Sequence, residues 1–256
     1  MDRAKLDQLF DLSGRVAIVT GGTRGIGRSI AEGFAAAGAD VVVASRKADA
    51  CAETQAALEA MGGRALAVPT HLGEPDDLRA LVDATVERFG GVDIVVNNAA
   101  TALAQMIEDI TPEAWQKVFD VNLRGPVLLV QAALPHLRAS EHGAVVNVVS
   151  VGAFLFSTYT SMYASAKAGL LQYTRSMAAE LAPDGIRVNA LAPGTVDTDM
   201  VRANPPEAQE RMANAALLRR AAHPDELVGP ALLLASDAGS FITGQCLVVD
   251  GGLAPR

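Results

Sequence analysis

The residue types best suited to proton transfer lie in the segment Tyr163-Ala164-Ser165-Ala166-Lys167, which carries a phenol and an amine four residues apart. This spacing puts both side chains on one face of a helix. An isolated tyrosine, with a pKa of about 10, is a poor acid–base catalyst at neutral pH, but a neighbouring cation favours its phenolate and lowers that pKa. The spacing therefore predicts an acid–base pair.

A third candidate, Ser150, comes directly after a β-branched apolar run that predicts a strand over residues 144–149. Open parallel sheets bind their ligands at the carboxyl ends of the strands. A hydroxyl there can hydrogen-bond a substrate oxygen as charge moves onto it. A Tyr-x-x-x-Lys pair alone is more often an ordinary exposed helix face. Catalysis is favoured by the order along the chain, which is strand, Ser150, helix, Tyr163 and Lys167.

A glycine-rich loop, Thr20-Gly21-Gly22-Thr23-Arg24-Gly25-Ile26-Gly27, joins the first predicted strand to the first predicted helix. Glycines let the backbone turn tightly and approach phosphates closely, and a helix N-terminus favours a pyrophosphate. The spacing G-x-x-x-G-x-G differs from both the common G-x-G-x-x-G fingerprint and the P-loop. The alternative is a tight joint with no ligand, but the strand before and the helix after favour dinucleotide binding.

The second predicted strand ends at Ser45, eighteen residues beyond Gly27, where an acid would bind a ribose 2′-hydroxyl. Ser45 brings no repulsion against a 2′-phosphate, and the next residue, Arg46, can bind that phosphate in a fork. Arg24 in the glycine loop can add a second cation. Alternatively, Arg46 and Lys47 are a solvated helix start. The sequence favours NADP(H), with NAD(H) still possible.

The elements around these residues alternate along the chain. Apolar runs predict strands over residues 15–20, 41–44, 65–68, 92–96, 144–149, 186–191 and 246–249. Helical patterns cover 26–37, 48–61, a stretch beginning near Pro75, 112–138 with an interruption near Gly125-Pro126, about 159–181, and 224–235 with Pro230 inside. Such alternation predicts one α/β domain spanning 1–256, a doubly wound parallel sheet (Rossmann fold) with helices on both faces.

Composition narrows the function classes. The chain has 256 residues, half of them hydrophobic, and a net charge of −8, which disfavours nucleic acid and anionic membranes as partners. The longest uncharged segment, 143–166, contains several polar residues, so no membrane-spanning helix is expected. Two cysteines in the whole chain favour a reducing cytoplasm. The four histidines and two cysteines lack metal-ligand spacing, so no metal site is expected.

Taken together, the motifs resemble those of the short-chain dehydrogenase/reductase family over about residues 12–253. The matching motifs are the glycine loop, Asn97-Asn98-Ala99-Ala100, Asn122, Ser150, Tyr163-x-x-x-Lys167, Pro193-Gly194 and Ile242-Thr243-Gly244 through Asp250-Gly251-Gly252. The resemblance implies that Tyr163 is the general acid/base, that Lys167 lowers its pKa and holds the nicotinamide ribose, and that Ser150 orients the carbonyl. It also implies that Asn122 anchors a water in a proton relay to Lys167.

The resemblance further implies a cofactor site. Asn97 would help to fix the central sheet and the cofactor. The expected cofactor-binding residues are Gly21, Thr23, Arg24, Gly25, Ile26, Gly27, Ser45, Arg46, His71, Leu72, Asn98, Ala99, Ala100, Tyr163, Lys167, Pro193, Gly194, Val196 and Thr198.

Two positions depart from the family pattern. His71 in Thr70-His71-Leu72 stands where an acid often contacts adenine, so it either meets the ring or is an ordinary loop histidine. Ala100 stands where glycine is commoner, and its methyl group is expected to be tolerated. The Ser45-Arg46-Lys47 and His71 features look most like those of carbonyl reductases of the dehydrogenase/reductase member 4 kind. The last three residues, 254–256, differ from the peroxisomal tripeptide that some of those reductases carry.

The sequence thus predicts an NADP(H)-preferring oxidoreductase that interconverts a ketone or aldehyde with its alcohol. The substrate is expected to be moderately lipophilic and to meet Val151, Gly152, Phe154, Phe156 and a lid over residues 194–220. Three alternatives remain: a 3-oxoacyl-thioester reductase, an NAD-dependent sugar or polyol dehydrogenase, and a non-catalytic dinucleotide sensor. The resemblance also implies a homotetramer or homodimer.

Overall fold

A computed structural model describes residues 1–254 as a parallel β-sheet flanked by helices. The comparison of residues 254–256 with a peroxisomal tripeptide therefore falls largely outside the described residues. The strands are β1 (Val16–Thr20), β2 (Asp40–Ser45), β3 (Ala65–Pro69), β4 (Ile94–Asn97), β5 (Ala144–Val148), β6 (Arg187–Pro193) and β7 (Cys246–Val249).

The strand order across the sheet is β3-β2-β1-β4-β5-β6-β7, and every neighbouring pair is parallel. The order reverses between β1 and β4, the place where open α/β sheets leave a crevice for a ligand. Because all strands run the same way, Thr20, Ser45, Asn97, Val148 and Pro193 end at one edge of the sheet. The predicted doubly wound parallel sheet is confirmed.

Helices cover both faces of the sheet. The α-helices are α1 (Arg3–Leu9), α2 (Gly25–Ala36), α3 (Ala48–Ala60), α4 (Pro75–Phe89), α5 (Pro112–Phe119), α6 (Gly125–Ala139), α7 (Ser161–Leu181), α8 (Asp199–Arg202), α9 (Pro206–Asn214) and α10 (Val228–Ala235). One apolar core joins the sheet to α2, α3 and α10, and the other joins it to α4, α6 and α7. Successive strand residues such as Val41 and Val42 enter opposite cores, because side chains alternate along a strand.

Several predicted boundaries need correction. The interruption expected near Gly125-Pro126 is a π-helical segment, Asp120–Arg124, and those two residues instead begin α6. Pro230 breaks nothing, because it lies in the first turn of α10, where backbone N–H groups have no partner within the helix. A 3₁₀ turn, Pro224–Leu227, precedes it. Strand ends differ from the predictions by one or two residues.

Candidate active site

Ser150 lies just beyond β5, at the carboxyl edge of the sheet. Its extended backbone caps a short 3₁₀ turn, Val151–Ala153, and its Oγ accepts a hydrogen bond from the Gly152 N–H at 3.1 Å. This bond fixes the hydroxyl oxygen at the strand end. The Ser150 side chain also hydrogen-bonds the Tyr163 phenol.

Tyr163 is the third residue of α7 and is half-buried. Two effects act on its pKa in opposite directions. Burial raises the pKa of Tyr163, because the phenolate loses solvation, while the hydrogen bond with Ser150 lowers it. Burial has the larger effect, so the phenol keeps its proton at neutral pH.

Lys167 lies one turn further along α7 and is almost completely buried. Its Nζ donates to the Val148 carbonyl at 2.7 Å and lies 5.8 Å from the centre of the Tyr163 ring. Loss of solvation lowers the pKa of Lys167 to about 7. The structure thus brings the predicted phenol, amine and hydroxyl together, in an arrangement suited to passing one proton to or from a substrate oxygen.

Asn122 lies in the π segment (Asp120–Arg124) and is fully buried. Its Nδ2 donates to the carbonyls of Thr101 and Val118 at 2.7 and 2.8 Å, and its Oδ1 accepts from the Thr101 N–H at 3.1 Å. Both amide hydrogens are therefore used within the protein. The side chain holds the loop after β4 against the helix.

The glycine loop packs so closely against neighbouring backbone and side chains that two of its positions have no room for a Cβ. A Cβ at Gly27 would lie 2.3 Å from both Asn98 Nδ2 and the Gly21 carbonyl oxygen, and one at Gly21 would lie 2.9 Å from the Ala99 Cα. Gly21 and Gly25 also have positive φ, at 65° and 52°. No side chain caps the N-terminus of α2, so its backbone N–H groups and positive dipole end suit a diphosphate.

Thr20 begins the glycine loop, but sequence reasoning assigned no role to its side chain. Its Oγ1 accepts from the backbone N–H groups of Asn98 and Ala99 at 3.0 and 3.1 Å and donates to the Val96 carbonyl. The Asn98 side chain returns a bond to the Thr20 carbonyl at 2.9 Å. These bonds tie the glycine loop to the segment that carries Asn98-Ala99-Ala100. A threonine ending an otherwise apolar buried strand was the available signal.

Asn97 begins a buried polar row across the central sheet. It donates to Asn147 Oδ1 at 2.9 Å, and Asn147 donates to Thr174 Oγ1 at 2.9 Å. Asn97 Oδ1 itself is buried without a hydrogen-bond partner. An orphaned acceptor at the end of β4, beside the strand-order reversal, is consistent with a ligand there.

The two arginines predicted near a 2′-phosphate have different surroundings. Ser45 ends β2, where its carbonyl accepts a bond from Cys51 Sγ at 3.4 Å. Arg46 is exposed and has no ion pair with any residue of the described chain. Arg24 instead lies 3.3 Å from Asp199 of α8. The structure thus leaves Arg46 available beside Ser45 and ties Arg24 to the 194–220 segment.

His71 and Leu72 follow β3 in a compact loop. The His71 ring accepts from the Gly73 N–H through Nδ1 at 3.2 Å, and its backbone N–H donates to Asp77 at 2.8 Å. Leu72 is buried. Nδ1 is thus used as an acceptor within the loop, and Nε2 is the other ring nitrogen that a ligand could meet.

Pro193 ends β6, and Gly194 packs so tightly that a Cβ would lie 2.7 Å from the Asp250 Cα. Val196 is buried, and Thr198 precedes α8 beside Gly25. The rest of residues 194–220 forms α8 and α9 and returns through a bond from the Leu218 N–H to the Gly251 carbonyl. The turn at Asp250-Gly251 therefore supports both ends of this segment.

Two negative observations apply to residues 1–254. No group of three or more histidine, cysteine, aspartate or glutamate side chains there is placed to hold a metal ion. None of the helices in that part of the chain is both long and apolar enough to cross a membrane.

Comparison with known proteins agrees with this geometry. A family model described as enoyl-(acyl carrier protein) reductase matches residues 21–254. Dehydrogenase/reductase SDR family member 4 of Homo sapiens is 39% identical over 248 residues, covering 96% of this chain and 89% of that protein. The chain belongs to the short-chain dehydrogenase/reductase family. It is therefore an NAD(P)-dependent oxidoreductase, and the non-catalytic sensor is removed from the alternatives.

Other members of the short-chain dehydrogenase/reductase family have diverse names. The rhamnolipids biosynthesis 3-oxoacyl-(acyl-carrier-protein) reductase of Pseudomonas aeruginosa is 38% identical over 250 residues, covering 95% of this chain and 97% of that protein. A solved structure named as an NAD(P)-dependent gluconate 5-dehydrogenase, from Beutenbergia cavernae with NADP bound at low occupancy, is 35% identical. It has a TM-score of 0.91 and covers 97% of this chain and 100% of that chain.

Proposed function

We propose that this protein is an NADP(H)-preferring oxidoreductase that interconverts a ketone or aldehyde with its alcohol, using Tyr163 as general acid/base. The observation that carries the proposal is the buried Lys167 amine, 5.8 Å from the Tyr163 ring, with Ser150 bonded to the same phenol. A buried amine with a strongly lowered pKa is costly to a fold and is typical of a functional site.

In the proposed reduction, Tyr163 donates its proton to the carbonyl oxygen as that oxygen gains charge. The hydride would come from the nicotinamide cofactor when it is bound. Ser150 hydrogen-bonds the same oxygen and holds it within reach of the phenol. Lys167, when protonated, stabilises the phenolate that remains, because an opposite charge nearby favours the ionised form. Asn122 keeps the adjoining loop in place through Thr101.

The proposed NADP preference is supported by the end of β2. Ser45 presents no carboxylate to repel a 2′-phosphate, and the exposed Arg46 is not engaged by any acid of the described chain. A guanidinium binds phosphate oxygens in a fork, which a 2′-hydroxyl cannot match. The NADP in the Beutenbergia cavernae structure, a relative of 35% identity, also supports it.

The proposed substrate is a moderately lipophilic carbonyl compound. Phe156 in the loop before α7 is 97% exposed, and Leu217 and Leu218 at the end of the 194–220 segment are 73% and 63% exposed. Where exposed apolar side chains form one contiguous patch, that patch commonly marks a binding surface. We propose that the 194–220 segment closes over the substrate as a lid. Val151 is buried, so it would support the surface from beneath.

A second candidate is a 3-oxoacyl-thioester reductase, favoured by the name of the Pseudomonas aeruginosa relative. The description of the matching family model shares with it the acyl carrier protein but names reduction of an enoyl group. An NAD-dependent sugar or polyol dehydrogenase is the third. We further propose assembly into a homotetramer or homodimer in the cytoplasm. Half-exposed aromatic side chains of α5 and α7, Trp115 and Tyr173, support the assembly.

The test is a titration with NADPH and NADH, followed by a panel of free ketones, aldehydes, polyols and 3-oxoacyl thioesters. We expect tighter binding of NADPH and a loss of about tenfold, about 1.4 kcal/mol, in the Arg46→Ala variant only for NADPH. Tyr163→Phe should lower turnover by about 10²–10⁴-fold with cofactor binding retained. Equal or tighter NADH binding would overturn the cofactor preference, and activity confined to thioesters would favour the second candidate.

A further inference from the structure

The π segment (Asp120–Arg124) lies between two loops, and both loops carry residues of the proposed cofactor site. On one side Asn122 binds both backbone groups of Thr101, in the loop after β4. On the other side the segment meets the β3–α4 loop, residues 70–74, which carries His71. A π-helical turn adds a residue to a helix and redirects the side chains that follow it.

Arg124, the last residue of the π segment, contacts the β3–α4 loop directly. Its Nη2 donates to the Gly73 carbonyl at 2.8 Å. Its Nε lies 3.0 Å from Asp120 Oδ1, and that carboxylate, which is largely buried, fixes the direction of the guanidinium. The planar fork of arginine can hold both acceptors at once, which the single ammonium of lysine does less well.

Gly73 links the Arg124 guanidinium to the His71 ring. While its carbonyl accepts from Arg124, its N–H donates to His71 Nδ1 at 3.2 Å. The ring therefore packs against a peptide that the guanidinium holds in place. A Cβ at Gly73 would lie 3.0 Å from His71 Cε1, so the packing is close.

Close packing of the following residue supports the same arrangement. A Cβ at Gly125 would lie 2.3 Å from the Leu72 carbonyl oxygen, so only glycine lets the start of α6 approach the loop this closely. Arg124 and Gly125 thus contact consecutive peptides, those of Gly73 and Leu72. The loop is held against the π segment over two residues.

We propose that Arg124 is a positioning residue that holds the His71-Leu72 loop in the conformation that binds the adenosine end of the cofactor. The inference rests on the proposed function in one respect, the assignment of His71 and Leu72 to that end. Arg124 does not contact the reacting atoms in this proposal. Its loss should weaken cofactor affinity while leaving the proton-transfer groups intact, because Asn122 keeps its own bonds to Thr101 and Val118.

The test measures binding of adenosine 2′,5′-bisphosphate and 5′-ADP, which reach only the adenosine end, by calorimetry. Arg124→Met should weaken both by about tenfold, and Arg124→Lys should recover only part of that loss, because lysine can donate to Gly73 but holds Asp120 at the same time less well. Arg138→Met is the control. Its ion pair with Asp184 is similarly exposed and lies on α6 away from the loop. Arg124→Met and Arg138→Met should lose similar thermal stability, and only Arg124→Met should lose nucleotide affinity.

Steady-state kinetics and a double-mutant cycle complete the test. In Arg124→Met, the KM for the cofactor should rise about tenfold and kcat should change less than about twofold. His71→Ala should remove the further effect of Arg124→Met, because both act on one loop. Unchanged nucleotide affinity in Arg124→Met, an equal loss in Arg138→Met, or additive effects with His71→Ala would each overturn the proposal. Failure of the wild type to bind either nucleotide would instead refute the assignment of this loop to the cofactor, and the proposal with it.

Discussion

Burial of Lys167 makes the stability of this protein depend on pH in a way that one substitution can isolate. The amine has an ordinary pKa of 10.5, and burial lowers the pKa of Lys167 to about 7 in the folded chain. Between these values the unfolded state binds more protons than the folded state. The free energy of unfolding therefore rises with pH across that window. Below about pH 7 both states are protonated, and the contribution of Lys167 is at its least favourable.

The size of the effect follows from the two pKa values. Going from about pH 6 to about pH 9, the linkage relation gives a rise of about 3 kcal/mol in the free energy of unfolding from this one group. Lys167→Met keeps the apolar length of the side chain and removes the titration. The difference in unfolding free energy, wild type minus variant, should therefore increase by about 3 kcal/mol over the same interval.

Urea unfolding followed by circular dichroism, without nucleotide and at several pH values, measures this difference. Lys117→Met, at an exposed position on α5, is the matched control and should run parallel to the wild type. Parallel curves for Lys167→Met and the wild type would refute the reasoning. They would mean that the amine keeps its ordinary pKa when buried, and that the Val148 carbonyl at 2.7 Å solvates the charge sufficiently.

Three further predictions concern packing, capping and proton transfer. Gly27→Ala places a Cβ 2.3 Å from two backbone or amide atoms, so it should lower the free energy of unfolding by about 1–3 kcal/mol and remove most NADPH affinity. Urea unfolding and fluorescence titration measure the two effects. Gly229→Ala, with open space around its Cβ, is the control and should be near neutral in both. Arg187→Met leaves the carbonyls of Leu234 and neighbouring residues without their guanidinium donor, so calorimetry should show a loss of about 3 kcal/mol. Burial raises the pKa of Tyr163. As pH rises through that pKa, carbonyl reduction followed by stopped flow should slow and alcohol oxidation should accelerate, because the phenol loses its proton. Rates that do not depend on pH would contradict the proposed role.

The core of the fold was predictable because its pattern is local. Each central strand is a short β-branched run, as expected where both faces of a parallel sheet are covered. The helix α1 was not predicted. None of its residues is buried, so no apolar stripe marks it, and only the cap at Asp2, which accepts from the Lys5 N–H, indicates where it begins. Exposed short helices leave little trace in hydrophobic periodicity.

The interruption before α6 shows a different limit. Gly125 and Pro126 suggest a break by their residue types, but the distortion lies in the preceding segment, Asp120–Arg124. Glycine is needed at 125 because of the Leu72 carbonyl, which is far away in sequence. A glycine required by a distant backbone atom is indistinguishable in sequence from one required by its own backbone angles.

The contacts of the candidate site that the sequence did not predict share one property: each joins a side chain to a backbone group. Lys167 binds the carbonyl of Val148, Arg124 binds that of Gly73, and Asn122 binds both backbone groups of Thr101. In each bond only the side-chain partner is specified by residue type, because every residue offers the same carbonyl. The sequence therefore indicates the side chains of the candidate site, while the peptides that orient them are fixed by where the strands end.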